Sequence, residues 1–257
     1  MHLNRSLRNR LLVYAAVLVA ALPFSTFAVE PAGPSQAALD AGQPYLRALQ
    51  AAADAYATHD FSKALDRLDV ADGIQKDVPD TWIMRGAIYA GQRAYEKAGD
   101  AFEKAAKLNP TDFWAPYNSA ELLLLEKKYG AAAAAFERLE VYGGHEELVQ
   151  FKVVFAYLLE GKPGAAKPVL DAMKFPSDTA AYYYAHAAWG FAHKDEKEGN
   201  YWSNAGLKVF GLDLCIAFYD ALVRVGWLPM RNPDGTVPEP AELSTLPAAT
   251  PEAGVSP

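Results

Sequence analysis

Apolar positions recur with a helical period through most of the chain. In "YEKAGDAFEKAAKLNP", Tyr95, Ala98, Phe102 and Ala105 fall on one helix face, and the lysines and acids between them fall on the other. The same pattern predicts helices near 44–57, 61–73, 79–91, 95–108, 113–127, 130–141, 146–160, 164–174, 178–192, 198–209 and 212–226. Helix breakers stand at the junctions: Asp77/Pro79, Asn109/Pro110, Gly143-Gly144, Pro163-Gly164, Pro176 and Gly199-Asn200. No strand-like alternation competes, so the pattern predicts an all-α fold.

The helices also repeat as pairs. Ala64, Ala98, Ala132 and Ala166 are equally spaced along the chain. Phe61, Tyr95 and Tyr129 keep the same interval, as do Leu68, Phe102, Phe136 and Leu170. Three superposed tracks at one period mark a repeat architecture. Trp82, Gly86 and Tyr89, then Ala98, Phe102, Ala105 and Pro110, resemble the tetratricopeptide repeat (TPR). That unit spans about 34 residues, and its pattern is Trp-x2-Leu-Gly-x2-Tyr, then Ala-x3-Phe, then Pro. Arg85 stands where the family usually has leucine. The resemblance is clear for 79–112, good for 45–78 and 113–146, degenerate for 147–180 and partial beyond.

Each matching residue has a packing role. Gly86 and Ala98 are small, so that paired helices approach closely where they cross, and Tyr89 and Phe102 fill the space around that contact. Pro110 has no amide donor and stops the second helix. The resemblance implies a right-handed α-solenoid of antiparallel helix pairs, a TPR-like superhelix, over 43–228, with repeats at about 45–78, 79–112, 113–146, 147–180 and 181–211. The segment "LCIAFYDALVRVGWL" predicts a capping helix at 212–226, since a solenoid must cover the apolar side of its last repeat. In the fourth copy Pro168 sits inside the nominal second helix, which is expected to begin late or bend. In the fifth, Tyr201 lies farther beyond Pro163 than the constant interval allows, which predicts a longer turn.

The two ends differ from the middle. Residues 1–28 read as a secretory signal: Arg5, Arg8 and Arg10, the apolar run Leu11–Phe24, then small residues at Thr26 and Ala28. Cleavage after Ala28 predicts an exported, periplasmic protein, and an uncleaved signal anchor in the inner membrane is the alternative. Residues 29–42 read as a linker, and 229–257 as a disordered, Pro-rich acidic tail with six prolines, four acids and no basic residue from Asn232 onward. Without the signal, 21 basic and 31 acidic residues leave a net charge of −10, and such a surface repels phosphate backbones. Nucleic acid is excluded as a partner on that ground, and stable membrane insertion after cleavage is not expected. The single cysteine, Cys215, allows no internal disulfide, and with no cysteine near Ala28 a lipid anchor is not expected.

Candidate chemistry is sparse. His186 and His193 share a helix face two turns apart, about 10.5 Å along the axis, too far for one metal ion without other ligands. Glu146 and Glu147 sit at a helix N-terminus, where the macrodipole accounts for them. There is no glycine-flanked serine elbow and no phosphate-cradling glycine loop. No catalytic residue, cofactor or metal site is assigned.

What remains is surface. In the resembled family the first helix of each pair lines the concave face, which implies a binding role for that face. The geometry places Leu49, Ala53, Tyr56, Ile83, Ala87 and Trp114 there, and a partner-binding set of Tyr117, Asn118, Glu121, Phe151, Lys152, Phe155, Tyr182, His186 and Trp189. Adjacent helix residues point about 100° apart, so at least one of Tyr182, Tyr183 and Tyr184 belongs to the core. The resulting expectation is a non-catalytic interaction module of the cell envelope that holds a segment of another protein on a concave aromatic face. A structural subunit making lateral or end-on contacts in an envelope assembly is the alternative reading, and a ligand-binding or hydrolytic accessory protein a third.

Overall fold

The computed structural model describes residues 36–232 and 235–237, with side chains from Pro44 onward. The expected signal, residues 29–35 of the expected linker and most of the tail lie outside the described residues, and residues 36–42, expected as linker, are the first turns of a helix. Within them the chain forms eleven α-helices. Five antiparallel pairs follow one another: α1 (Gln36–Ala57) with α2 (Phe61–Ile74), α3 (Pro79–Gly91) with α4 (Tyr95–Leu108), α5 (Trp114–Leu125) with α6 (Tyr129–Glu137), α7 (Glu146–Leu159) with α8 (Pro163–Ala172), and α9 (Ala181–Ala192) with α10 (Glu196–Phe210). The last helix, α11, runs Leu212–Arg224.

Local signals explain several boundaries. Asp60, Asp112 and Asp195 each accept a backbone amide three residues on, from Lys63 (3.1 Å), Ala115 (2.9 Å) and Glu198 (2.9 Å), which satisfies donors that the first helical turn leaves unpaired. Pro79 and Pro163 occupy the first turn, where a missing amide costs nothing. α8 therefore starts at Pro163 and not late, and Pro168 lies within it. α6 gives way to a 3₁₀ turn, Arg138–Tyr142, ahead of Gly143, where a longer α-helix was expected.

The repeats pack as the tracks require. Ala64, Ala98, Ala132 and Ala166 are fully buried, and so are Leu68, Phe102 and Phe136. A Cβ placed on Gly86 would lie 2.4 Å from the Phe102 ring, so the glycine makes room for that ring rather than for the opposing backbone. Arg85, the departure from the family pattern, joins the pair to the preceding one. It donates to Asp69 at 3.1 Å and to Asp72 at 2.5 Å on α2, and its guanidinium lies 5.4 Å from the Trp82 ring centroid.

All five intra-pair turns have three residues. The middle one is always left-handed: His59, Arg93, Lys127, Gly161 and Lys194, with φ between 60° and 74°. The first four are equally spaced and Lys194 comes one position early, so the fifth turn is not longer as expected. The aromatic at Tyr201 is not the counterpart of Tyr95. Glu196 is, and Gly199, Ser203 and Gly206 take the places of the alanine and phenylalanine tracks, buried on the inner face of α10. A Cβ on Gly199 would sit 2.6 Å from the Phe191 ring, and one on Gly190 would sit 2.6 Å from the Gly199 nitrogen. Gly199→Ala is therefore expected to cost about 1–3 kcal/mol by overpacking, read from urea denaturation. A neutral result would show that the α9–α10 crossing has slack.

Candidate functional site

The first helices of the pairs, α1, α3, α5, α7 and α9, carry the expected binding face. Ile83, Tyr117 and Phe151 keep the repeat interval along it, and Tyr184 comes one position early. That single-position contraction turns the fifth repeat by about 100° relative to the expected register. Tyr184, fully buried, therefore takes the register position of Tyr117 and Phe151 to which Tyr182, His186 and Trp189 do not belong. Those three lie elsewhere. Tyr182 and His186 pack on Trp202 of α10, with ring centroids 5.8 and 4.7 Å away, and Lys167 of α8 covers Trp189 at 5.9 Å. Burial pushes the His186 imidazole down to about 4, so it is neutral at physiological pH.

The remaining six of the expected set lie on α5 and α7, and none is open. Asn118, Phe151, Phe155 and Glu121 are at most 1% exposed, and Tyr117 and Lys152 at most 3%. Part of the cover is the chain's own α11, which reaches beyond the last pair to α7 and α5. Phe218 meets Phe151 edge-on at 5.1 Å and stacks on Tyr184 at 5.8 Å. Trp227, just beyond α11, lies 5.7 Å from Phe155 and 6.4 Å from Phe191. Cys215, Tyr219, Ala221 and Leu222 of α11 thereby join one apolar core with residues of α5 to α9.

A charged cluster lies at the inner end of α11. Lys152 Nζ is 2.7 Å from Glu121 Oε1, and Arg224 Nη1 is 3.9 Å from Glu121 Oε2. One carboxylate thus faces two cations in a nearly dry site. Burial holds the Lys152 ammonium below its usual range; Glu121 opposes this and Arg224 reinforces it. Burial, then Glu121, push the Tyr117 hydroxyl well up. Arg224 reaches far enough to act on Tyr56 of α1, whose hydroxyl burial raises to about 12. Its Nε and Nη2 are buried without a hydrogen-bond partner.

Asp80, in the first turn of α3, has a carboxyl raised above its ordinary range. Burial, with a contribution from the Asp112 charge, pushes its carboxyl up to about 6. A raised carboxylate value means the folded form holds the proton more tightly than the unfolded chain. Asp80 then favours folding most below about pH 4, and loses that contribution as pH rises through 6. Asp80→Asn should stabilise the protein by about 1–2 kcal/mol at pH 7.5 and by nothing at pH 3.5, measured by denaturant titration at both values. A pH-independent difference would refute the assignment.

Among the described residues no three His, Cys, Asp or Glu side chains are grouped as metal ligands would be. No described helix is long and apolar enough to cross a membrane. The arrangement consists of buried aromatic rings around one ion-paired cluster.

No family model matches the chain, and no curated protein matches it. Solved structures do. TTC0263, a thermophilic TPR protein of Thermus thermophilus, is similar at TM-score 0.54 and 14% identity, over 70% of this chain and 99% of that one. PilW, described as a widely conserved type IV pilus biogenesis factor, is similar at TM-score 0.52 and 15% identity, over 72% of this chain and 87% of that one. At such identities the likeness shows the fold: the chain is a tetratricopeptide-type α-solenoid of helix pairs.

Proposed function

We propose that the protein is a non-catalytic interaction scaffold of the cell envelope, exported by its N-terminal signal, that holds a partner segment on its concave face. The observation that carries this reading is that the concave aromatics Phe151, Phe155 and Tyr184 already engage α11 and the residues just beyond it. A surface that accepts one amphipathic helix has the shape and chemistry to accept another. Export rests on the basic, apolar and small-residue sequence of 1–28, and the fold shared with a pilus biogenesis factor is compatible with an envelope role.

A photo-crosslinking residue placed at Trp114, half-buried on the concave helix α5, should trap a defined partner in an envelope extract. The same group at Val70, 48% exposed on the outer helix α2, should not. Equal trapping from both positions would overturn the concave reading. End-on assembly has one observation in its favour. Val209 and Leu214, flanking the α10–α11 junction, are 59% and 65% exposed. Crosslinks from Leu214 alone would support that alternative.

A further inference from the structure

α11 and the segment after it form a unit that is bonded mainly to itself. The Tyr219 hydroxyl donates to the Pro229 carbonyl at 2.9 Å, and Arg231 makes a two-pronged contact with Asp220 at 3.2 Å. This unit meets the solenoid through apolar surface, the rings of Phe218 and Trp227, and Arg224. Its connection to α10 is the single residue Gly211, at φ 75° with open space around it, so the helix can swing about one joint.

The polar part of the attachment is poorly made. Arg224 brings a second cation beside Lys152 to Glu121 at 3.9 Å, has otherwise only a longer-range attraction to Asp220, which Arg231 already pairs, and leaves two buried donors without partners. With Arg224 withdrawn, Glu121 and Lys152 remain as a neutral pair at 2.7 Å. Buried donors left unpaired and an excess buried charge both weaken binding of the segment that carries them.

We propose that α11 is a displaceable occupant of the concave groove, and that the groove's partner is an amphipathic helix that supplies an aromatic anchor for Phe151 and Tyr184 and an uncharged residue where α11 places Arg224. This deepens the concave-face reading and rests on it. Arg224 keeps the internal helix a weak competitor: strong enough to cover the aromatics when no partner is present, weak enough to leave when one is. The groove then stays shielded from unspecific apolar contacts, and partner affinity is reduced by the fraction of molecules with α11 released.

The test uses the full chain in three forms: unsubstituted, Phe218→Ala and Arg224→Leu. The probe is a fluorescein-labelled peptide of residues Leu212–Leu228 carrying Arg224→Leu, with binding followed by anisotropy. Phe218→Ala loosens the internal helix and should bind the probe at least about 10-fold more tightly than the unsubstituted chain, while Arg224→Leu seats it more firmly and should bind at least about 3-fold more weakly. Equal affinity in all three forms overturns the proposal. Should Phe218→Ala fail to fold, hydrogen exchange on the unsubstituted chain decides. Amides of α11 exchanging faster than those of α7 support a displaceable helix, and equal protection overturns it. The outcome is independent of whether Trp114 traps an envelope partner, so probe binding without such a partner would leave this mechanism standing and remove the cellular reading.

Discussion

Glu121→Ala is expected to lower the stability of the protein by about 3–5 kcal/mol, more than any surface substitution. The carboxylate is 1% exposed and sits between the Lys152 ammonium, 2% exposed, and the Arg224 guanidinium. Removing it leaves two cations in a site that water barely reaches. The lost attraction is the smaller part of the cost; the larger part is the desolvated charge left without a counter-ion. A second variant separates the two parts. Replacing Glu121, Lys152 and Arg224 together by leucine or methionine removes the charges and keeps the volume, and should be near neutral or stabilising. Denaturant midpoints for the single and triple variants provide the measurement. A single variant within about 1 kcal/mol of the unsubstituted protein would mean that water enters the cluster and screens it.

Phe102→Ala should cost about 3–5 kcal/mol. The ring is fully buried at the centre of the second pair, surrounded by Ala98, Ala105, Ile83 and Ala87. Truncation removes the transfer gain of the ring and leaves a cavity that neighbouring small residues cannot fill. The neighbour that decides the size of the loss is Gly86, where an added Cβ would lie 2.4 Å from the ring. Gly86→Ala alone is expected to cost about 1–3 kcal/mol by overpacking. Combined with Phe102→Ala it should cost less than the sum, because the methyl enters the space the ring vacated. Additive effects would place the two residues in separate packing environments and contradict the geometry.

Much of the architecture was legible because its causes are local and repeated. Ala64, Ala98, Ala132 and Ala166 mark the same helix crossing four times, so one alignment of small and aromatic positions located most of the helices. The fifth copy defeated that alignment. Its track passes to Gly199 and Ser203, residues common in loops, while the aromatic Tyr201 offered a false counterpart. The resulting slip put Tyr182, His186 and Trp189 in the register of Tyr117 and Phe151, which Tyr184 holds instead. The left-handed turn residues were equally hidden. Gly161 announces its conformation, whereas His59, Arg93, Lys127 and Lys194 adopt it because the helices on either side leave a three-residue turn no other path.

The expected concave residues show a second kind of limit. Periodicity groups Tyr117, Glu121, Phe151 and Phe155 through spacing along each helix, and in the structure all four are buried. It carried no information about what covers them. "LCIAFYDALVRVGWL" reads as an apolar helix whether it closes the end of the solenoid or lies along its groove. Only the direction taken at Gly211, and the meeting of Phe218, Arg224 and Trp227 with three different repeats, separates those outcomes. By itself, then, the sequence determined the helices, their pairing and the length of the repeating unit, all of which depend on neighbours within one or two turns or one repeat. The tertiary structure alone decided that α11 reaches back to α9, α7 and α5 and that Glu121 faces two cations. Those contacts join residues far apart in the chain, such as Glu121 and Arg224, whose pairing leaves no periodic trace.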